Sequence, residues 1–304
     1  MEGVLLINPR SGDGGAADLG EQARARGLRV ELLREGDDAA ALARDADVGA
    51  IGMAGGDGSL AAIAAVALER DLPFVCVPFG TRNHFARDLG LDRTDPVGAL
   101  DAFRNGAERR IDVAYANDRL FLNNVSLGLY AKLVHRREGH RRRRNAFARL
   151  RALGILVTER EPIGITVDGT PISSRVVLVS NNRYALDMLS IGEREQLDEG
   201  KLHLYAAHGW FRSSWEERAG TRFAIDARRH RLGAAVDGEP DVLETPIEFR
   251  VAPRALRVLI PQHEEEKQMS ENPEPTETEE ELAQTERQEE EEDMRGTTDP
   301  EEQD

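Results

Sequence analysis

Met53-Ala54-Gly55-Gly56-Asp57-Gly58-Ser59-Leu60 is the stretch on which the fold turns. An apolar run, Val48 to Met53, leads into it, and an Ala/Leu/Ile/Val-rich segment, Leu60 to Leu68, leads out. The run reads as a short buried strand and the exit as a helix. Between them stand three glycines, an acid and a hydroxyl. Glycine lacks a Cβ, so backbone can approach a ligand closely there. The helix N-terminus just behind the turn offers N–H groups and a positive dipole end to phosphate. Asp57 would repel phosphate itself, but it can hold a metal or a ribose hydroxyl, or accept a proton. Alone, the pattern is equally that of a tight strand–helix turn.

Outward from this stretch, strands alternate with helices. Val4–Ile7 is a continuous apolar run ending in the turn-rich Asn8–Gly15. Ala16–Arg26 reads as a helix, Leu28–Leu33 as a strand, Asp38–Arg44 as a helix and Phe74–Pro78 as a strand. Such alternation implies parallel βαβ units packed as a three-layer α/β domain, here residues 1–111. Ligands on these sheets bind beyond the C-terminal strand ends, where the loops after Ile7, Met53 and Val77 lie. From about Asp112 the pattern changes to short strands: 111–115, 119–125, 163–167, 175–180, 201–206 and 247–251. Val167-Asp168-Gly169-Thr170 is a hairpin signal. Residues 112–254 are therefore expected to form a mostly antiparallel β-sandwich. The fold class is α/β plus β.

The net charge of −16 is concentrated in residues 264–304, which hold 19 acidic and 3 basic residues, so the rest of the chain is neutral overall. This tail is too polar to fold alone, and residues 263–304 are expected to be disordered. A single cysteine, Cys76, excludes an internal disulfide and a multi-cysteine zinc site. With no signal peptide and no apolar run of membrane-spanning length, the expected location is cytoplasmic with peripheral membrane association. Lys132–Arg151 carries eight arginines interleaved with apolar residues. It reads either as a solvated helix face or as a contact for anionic lipid headgroups. Nucleic acid is not an expected partner, because no recognition motif accompanies the basic run. A homodimer is left open.

Val77-Pro78-Phe79-Gly80-Thr81-Arg82-Asn83-His84-Phe85-Ala86-Arg87 is a second glycine-bearing loop after a buried strand. Gly80, Thr81 and Asn83 can reach phosphate or ribose, and Arg82 adds a fixed positive charge. Two such loops, without the dinucleotide fingerprint or a P-loop Gly-Lys-Ser/Thr, suit a nucleoside triphosphate.

These motifs, with Asn8-Pro9…Ser11-Gly12, Asn123-Asn124-Val125-Ser126-Leu127-Gly128 and Ala235-Val236-Asp237-Gly238-Glu239-Pro240, resemble the diacylglycerol kinase catalytic domain family over about residues 1–262. That family includes sphingosine kinases and bacterial lipid kinases, and shares its nucleotide fold with NAD kinases. The resemblance implies ATP in a cleft between the two domains, with residues 255–262 returning to complete the first. It implies that Gly55, Gly56, Asp57, Gly58, Ser59, Gly80, Thr81, Arg82 and Asn83 hold the nucleotide and that Asn8 lines the cleft. Glu239 would be the proton acceptor and Asp57 the organiser of phosphate and Mg²⁺. A structural Mg²⁺ would take the carbonyls of Gln196 and Lys201 and the Glu199 carboxylate. The sequence departs from the family pattern at Glu199 and His84, where Asp is usual, and at Ser59, where Thr is usual. The implied activity is an ATP- and Mg²⁺-dependent lipid kinase meeting its substrate at the membrane surface. A nucleotide- or lipid-binding regulator, or a kinase of a soluble alcohol, is the alternative.

Overall fold

The computed structural model describes residues 2–12, 14–128, 164–174, 176–187, 190–191, 193–207 and 215–262. The described residues up to Pro261 belong to one compact unit. The Lys132–Arg151 segment, His208 and the acidic tail lie outside the described residues. The chain begins with β1 (Gly3–Ile7), α1 (Ala16–Ala25), β2 (Arg29–Leu32), α2 (Ala39–Asp45), β3 (Ala50–Gly55), α3 (Asp57–Glu69) and β4 (Phe74–Pro78). A short α4 (His84–Asp88), a 3-10 turn (Gly98–Asp101) and α5 (Ala102–Asn105) follow. Then come β5 (Gly106–Ala116), β6 (Arg119–Phe121), β7 (Asn124–Gly128), β8 (Ile165–Val167), β9 (Thr170–Ile172) and β10 (Val176–Asn181). The remaining strands are β11 (Leu186–Asp187), β12 (Ser190–Ile191), β13 (Leu202–Ala207), β14 (Trp215–Gly220), β15 (Arg222–Ala227), β16 (Arg231–Val236), β17 (Glu239–Glu244) and β18 (Ile247–Pro261).

The four parallel strands are ordered β2-β1-β3-β4. The apolar runs of β1, β3 and β4 are continuous because both sheet faces are covered there, whereas the edge strand β2 alternates charged and apolar residues and is partly exposed. Val4, Leu6, Ile51, Met53, Phe74 and Cys76 face a core shared with α2 and α3. Leu5, Ile7, Ala50, Ala54, Val75 and Val77 face the opposite core, with α1, the 3-10 turn and α5. The two sets alternate along each strand, as the period of two requires. Because β1 and β4 flank β3, the loops after all three emerge side by side.

Beyond β4 the same sheet continues. β18 pairs parallel with β4 through Val258 and Leu259, and antiparallel with β5 and β15. Its fifteen residues reach through both halves of the molecule. A second sheet, β14-β13-β10-β7-β16-β17, lies against this extension. Phe121, Ile165, Ile225 and Phe249 of one sheet and Val125, Val179, Leu204 and Val236 of the other fill the space between. This is the antiparallel sandwich read from the sequence. The boundary expected near residue 110 falls inside β5, so no linker separates the halves.

Several elements escaped the sequence reading, the short 98–105 helical turns and the β11–β12 pair among them. Strands β14 to β17 were not anticipated; β14 and β17 are sheet edges whose exposed charged residues break the apolar alternation. Residues 77–90 read as a loop, yet His84–Asp88 is helical. Its start is stabilised by a residue from elsewhere in the chain.

Candidate active site

Asn8, at the end of β1, donates its N–H to the Ala54 carbonyl at 2.9 Å. Its side-chain Nδ2 donates to Ser59 Oγ at 3.2 Å, tying the first loop to α3. Its Oδ1 accepts the Arg10 N–H at 3.1 Å. The third loop joins through Phe79, whose N–H reaches the Gly55 carbonyl at 3.4 Å. All three strand-end loops are thus fastened to one another.

The two glycine loops touch. A Cβ on Gly80 would lie 2.7 Å from Gly56 Cα and 2.8 Å from Asn83 Oδ1. Asn83 is buried in the left-handed region at φ 50°, and its Oδ1 accepts the Gly80 N–H at 2.7 Å. Asp57 opens α3, yet its carboxylate turns to α4. It accepts the His84 N–H at 3.3 Å and the Phe85 N–H at 3.0 Å. The first N–H groups of any helix lack intrahelical acceptors, and here an acid 27 residues earlier supplies them. Thr81 and Arg82 are exposed beside this junction. His84 Nδ1 stands 3.8 Å from Asp57 Oδ2. Burial pushes the His84 pKa down against the pull of Asp57, and Arg87 and Arg82 push it the same way.

Asp237 and Gly238, at φ 47° and 82°, form the two-residue turn between β16 and β17. Positive φ at both central residues is the type I′ geometry that matches strand twist. This turn brings Glu239 onto α3. A Cβ on Gly58 would collide with Glu239 Cγ and lie 3.2 Å from its Cδ. The missing side chain of Gly58 is the space that Glu239 occupies. The structure therefore places Asn8, Gly55, Gly56, Asp57, Gly58, Ser59, Gly80, Asn83 and Glu239 in one connected assembly.

Asp237 is more than a turn residue. Its Oδ2 accepts the Leu122 N–H at 2.9 Å, and its Oδ1 accepts those of Asn123 at 2.8 Å and Asn124 at 3.1 Å. Burial nevertheless pushes its pKa up to about 6, the three N–H groups oppose this, and Asp57 adds to it. Because the folded value exceeds the unfolded one near 4, stability from this group is full below pH 4. It is lost as pH climbs through 6, by on the order of 3 kcal/mol. Wild type is therefore expected to lose stability relative to Asp237→Asn between pH 4 and pH 7, in urea unfolding at each pH. Parallel pH profiles for the two proteins would refute the assignment.

Arg194 was not anticipated, since it lies in a charged loop without periodicity. Its guanidinium is buried and donates from Nε to Asp88 Oδ2 at 2.7 Å. Nη1 donates to the carbonyls of Leu122 and Asn181, at 2.7 and 2.9 Å, and Nη2 to Asn123 Oδ1 at 2.6 Å. Asp88 in turn accepts from Arg87 Nη2 at 2.9 Å.

Among the described residues no three His, Cys, Asp or Glu side chains are grouped to hold a metal ion. Mg²⁺ arriving with nucleotide phosphates needs only one or two protein carboxylates, and Asp57 keeps lone pairs beyond its two N–H bonds. The Asp57 end of the site thus fits such an ion. The loop of Gln196, Glu199 and Lys201 fits less well. Glu199 Oε2 meets His203 Nε2 at 3.0 Å, and its Oε1 is 3.6 Å from Lys201 Nζ. The Lys201 carbonyl accepts the Asn182 N–H at 2.9 Å. A cation there would displace two basic side chains. Chelation with EDTA is expected to leave the melting temperature within about 1 °C, well below the shift of a bound ion's linkage energy. A larger fall, restored by Mg²⁺, would return the ion to this loop.

Residues 2–116 match the sequence model of the diacylglycerol kinase catalytic domain. The diacylglycerol kinase of Bacillus subtilis (strain 168) is 34% identical over 84 residues, 27% of this chain and 28% of that protein. The diacylglycerol kinase of Mycobacterium tuberculosis (strain ATCC 25618 / H37Rv) is 33% identical over 126 residues, 38% and 40% respectively. The chain thus spans less than half the length of these curated relatives. A crystal structure of a diacylglycerol kinase from Bacillus anthracis str. Sterne superposes with a TM-score of 0.61 at 19% identity, covering 85% of this chain and 96% of that one. A second structure from the same organism gives 0.65 at 20% identity over 85% and 95%. The resemblance read from the motifs is matched by the sequence model over residues 2–116, which carry the diacylglycerol kinase catalytic domain pattern, and the fold is shared with those structures across most of the chain.

Proposed function

We propose that this protein is a lipid kinase that transfers the γ-phosphate of ATP to a hydroxyl of a diacylglycerol-like or sphingoid lipid. The observation that carries the reading is Glu239 lying against Gly58. It sets a carboxylate from the β half beside a glycine loop suited to phosphate. In this reading the triphosphate lies along Gly55–Ser59 and Gly80–Asn83, with the leading N–H groups of α3 toward it. Arg82 supplies positive charge at the exposed rim. The lipid oxygen forms a bond to the γ-phosphorus as the bond to the β,γ-bridging oxygen breaks and ADP leaves. Glu239 takes the alcohol's proton. Mg²⁺ would be held at Asp57 and would neutralise charge on the phosphates.

Among the described residues no helix is long and apolar enough to cross a membrane. In this reading the lipid is met at the membrane surface. Lys132–Arg151 would contribute through its arginines, at about 1 kcal/mol for each near anionic headgroups. The test is transfer from γ-labelled ATP to short-chain diacylglycerols and sphingoid bases in mixed micelles, beside soluble alcohols. Labelled lipid supports the proposal. Label only on soluble alcohols assigns a different substrate, and ATP binding with no transfer assigns a regulator.

A further inference from the structure

Arg194 sits where the two halves of the proposed active site depend on each other. One arm of its guanidinium holds Asp88 on α4, whose leading N–H groups are capped by Asp57. The other arm holds Leu122 and Asn123, whose N–H groups, with that of Asn124, hold the Asp237 carboxylate. Asp237 begins the turn that delivers Glu239 onto Gly58, the residue after Asp57. The circuit closes: Asp57, α4, Asp88, Arg194, Leu122–Asn124, Asp237, Glu239, Gly58. The links are side-chain hydrogen bonds, short stretches of backbone through α4 and the Asp237–Glu239 turn, and the van der Waals contact of Glu239 with Gly58. Both carboxylates proposed to act on the reaction lie on this ring.

We propose that Arg194 is a positioning residue that fixes the spacing between the nucleotide loop and Glu239. The claim rests on the lipid-kinase reading for its catalytic consequence and on geometry for the rest. An arginine is suited to the task because its planar fork bonds several fixed acceptors at once, which a lysine ammonium on a flexible stem does not. Full burial makes those bonds costly to break, so the ring resists distortion. A misplacement of about 1 Å at a reacting group can lower turnover 10²-fold. The glycine loops keep their own contacts through Gly56, Gly80 and Asn83 without Arg194. Loss of the fork should therefore lower kcat and spare nucleotide binding.

The experiment uses the full chain with Arg194→Lys, Asp88→Asn and the double variant. Turnover is expected to fall about 10- to 100-fold per folded molecule in each single variant, with KM for ATP within about 2-fold. The double variant should be no worse than the weaker single one, because both break one circuit. Should Arg194→Lys fail to fold, Asp88→Asn, which leaves the guanidinium in place, carries the test. Amide hydrogen exchange provides a readout independent of activity. Asp88→Asn, made on α4, is expected to speed exchange at Leu122, Asn123 and Asn124 in the other half. Unchanged turnover with unchanged exchange at those three amides overturns the proposal. A wild type that phosphorylates no alcohol overturns the kinase reading instead, and the exchange result then decides the positioning role alone.

Discussion

Glu239→Gln is expected to slow phosphoryl transfer by about 10²- to 10⁴-fold while ATP binding stays within a few-fold of wild type, the loss typical of a missing general base. Glutamine keeps the size and the contact with Gly58 and loses the carboxylate that would accept the proton. Gly58→Ala approaches the same group by steric means. Its new methyl would meet Glu239 Cγ and must turn that side chain aside. Gly58 lies in the first turn of α3 with ordinary helical backbone, where alanine is favoured by up to about 1 kcal/mol. That gain offsets part of the cost of moving Glu239, so the alanine variant should stay folded and yet lose turnover. Steady-state kinetics and thermal unfolding on both variants give the comparison. If Glu239→Gln transfers phosphate at the wild-type rate, Glu239 is not the base.

Gly80→Ala should act on binding instead. No positive φ is involved; the obstacle is space, with Gly56 Cα at 2.7 Å and Asn83 Oδ1 at 2.8 Å from the added Cβ. The nearer neighbour is backbone, which cannot rotate away, and the Asn83 side chain is already committed to the Gly80 N–H. The two glycine loops must separate. Overpacking of this kind typically costs about 1–3 kcal/mol of stability. If both loops hold the triphosphate, KM for ATP should rise at least 10-fold. Calorimetric titration with a non-hydrolysable ATP analogue measures it directly. A variant that binds the analogue normally would show that the loops do not grip the nucleotide jointly.

How much of this was legible depends on whether a residue's partners lie nearby in sequence. The parallel strands were readable because burial on both faces forces continuous apolar runs, as in Val4–Ile7 and Phe74–Pro78. The glycine loops were readable because turns after strands concentrate small residues. Helix α4 was not, since its N-terminus is capped by Asp57 and not by a local side chain. Asp237 stands before a glycine, an ordinary hairpin signature, and it does form the turn between β16 and β17. The three N–H groups that hold its carboxylate lie more than 110 residues away and leave no local trace. Arg194 is the extreme case. Its neighbours Glu193 and Glu195 give it the look of a surface charge, and only the tertiary fold surrounds it with acceptors.

The long final strand β18 also bears on how the polypeptide is made. Val258 and Leu259 lie beside Phe74 and Val75, so that border of the parallel sheet stays open until those residues have left the ribosome. During synthesis the nascent chain carries a strand with unpaired backbone groups and buried-type side chains on both faces, the kind of surface that invites association between molecules. Completing the parallel sheet thus waits for β18, although its other strands are translated long before it.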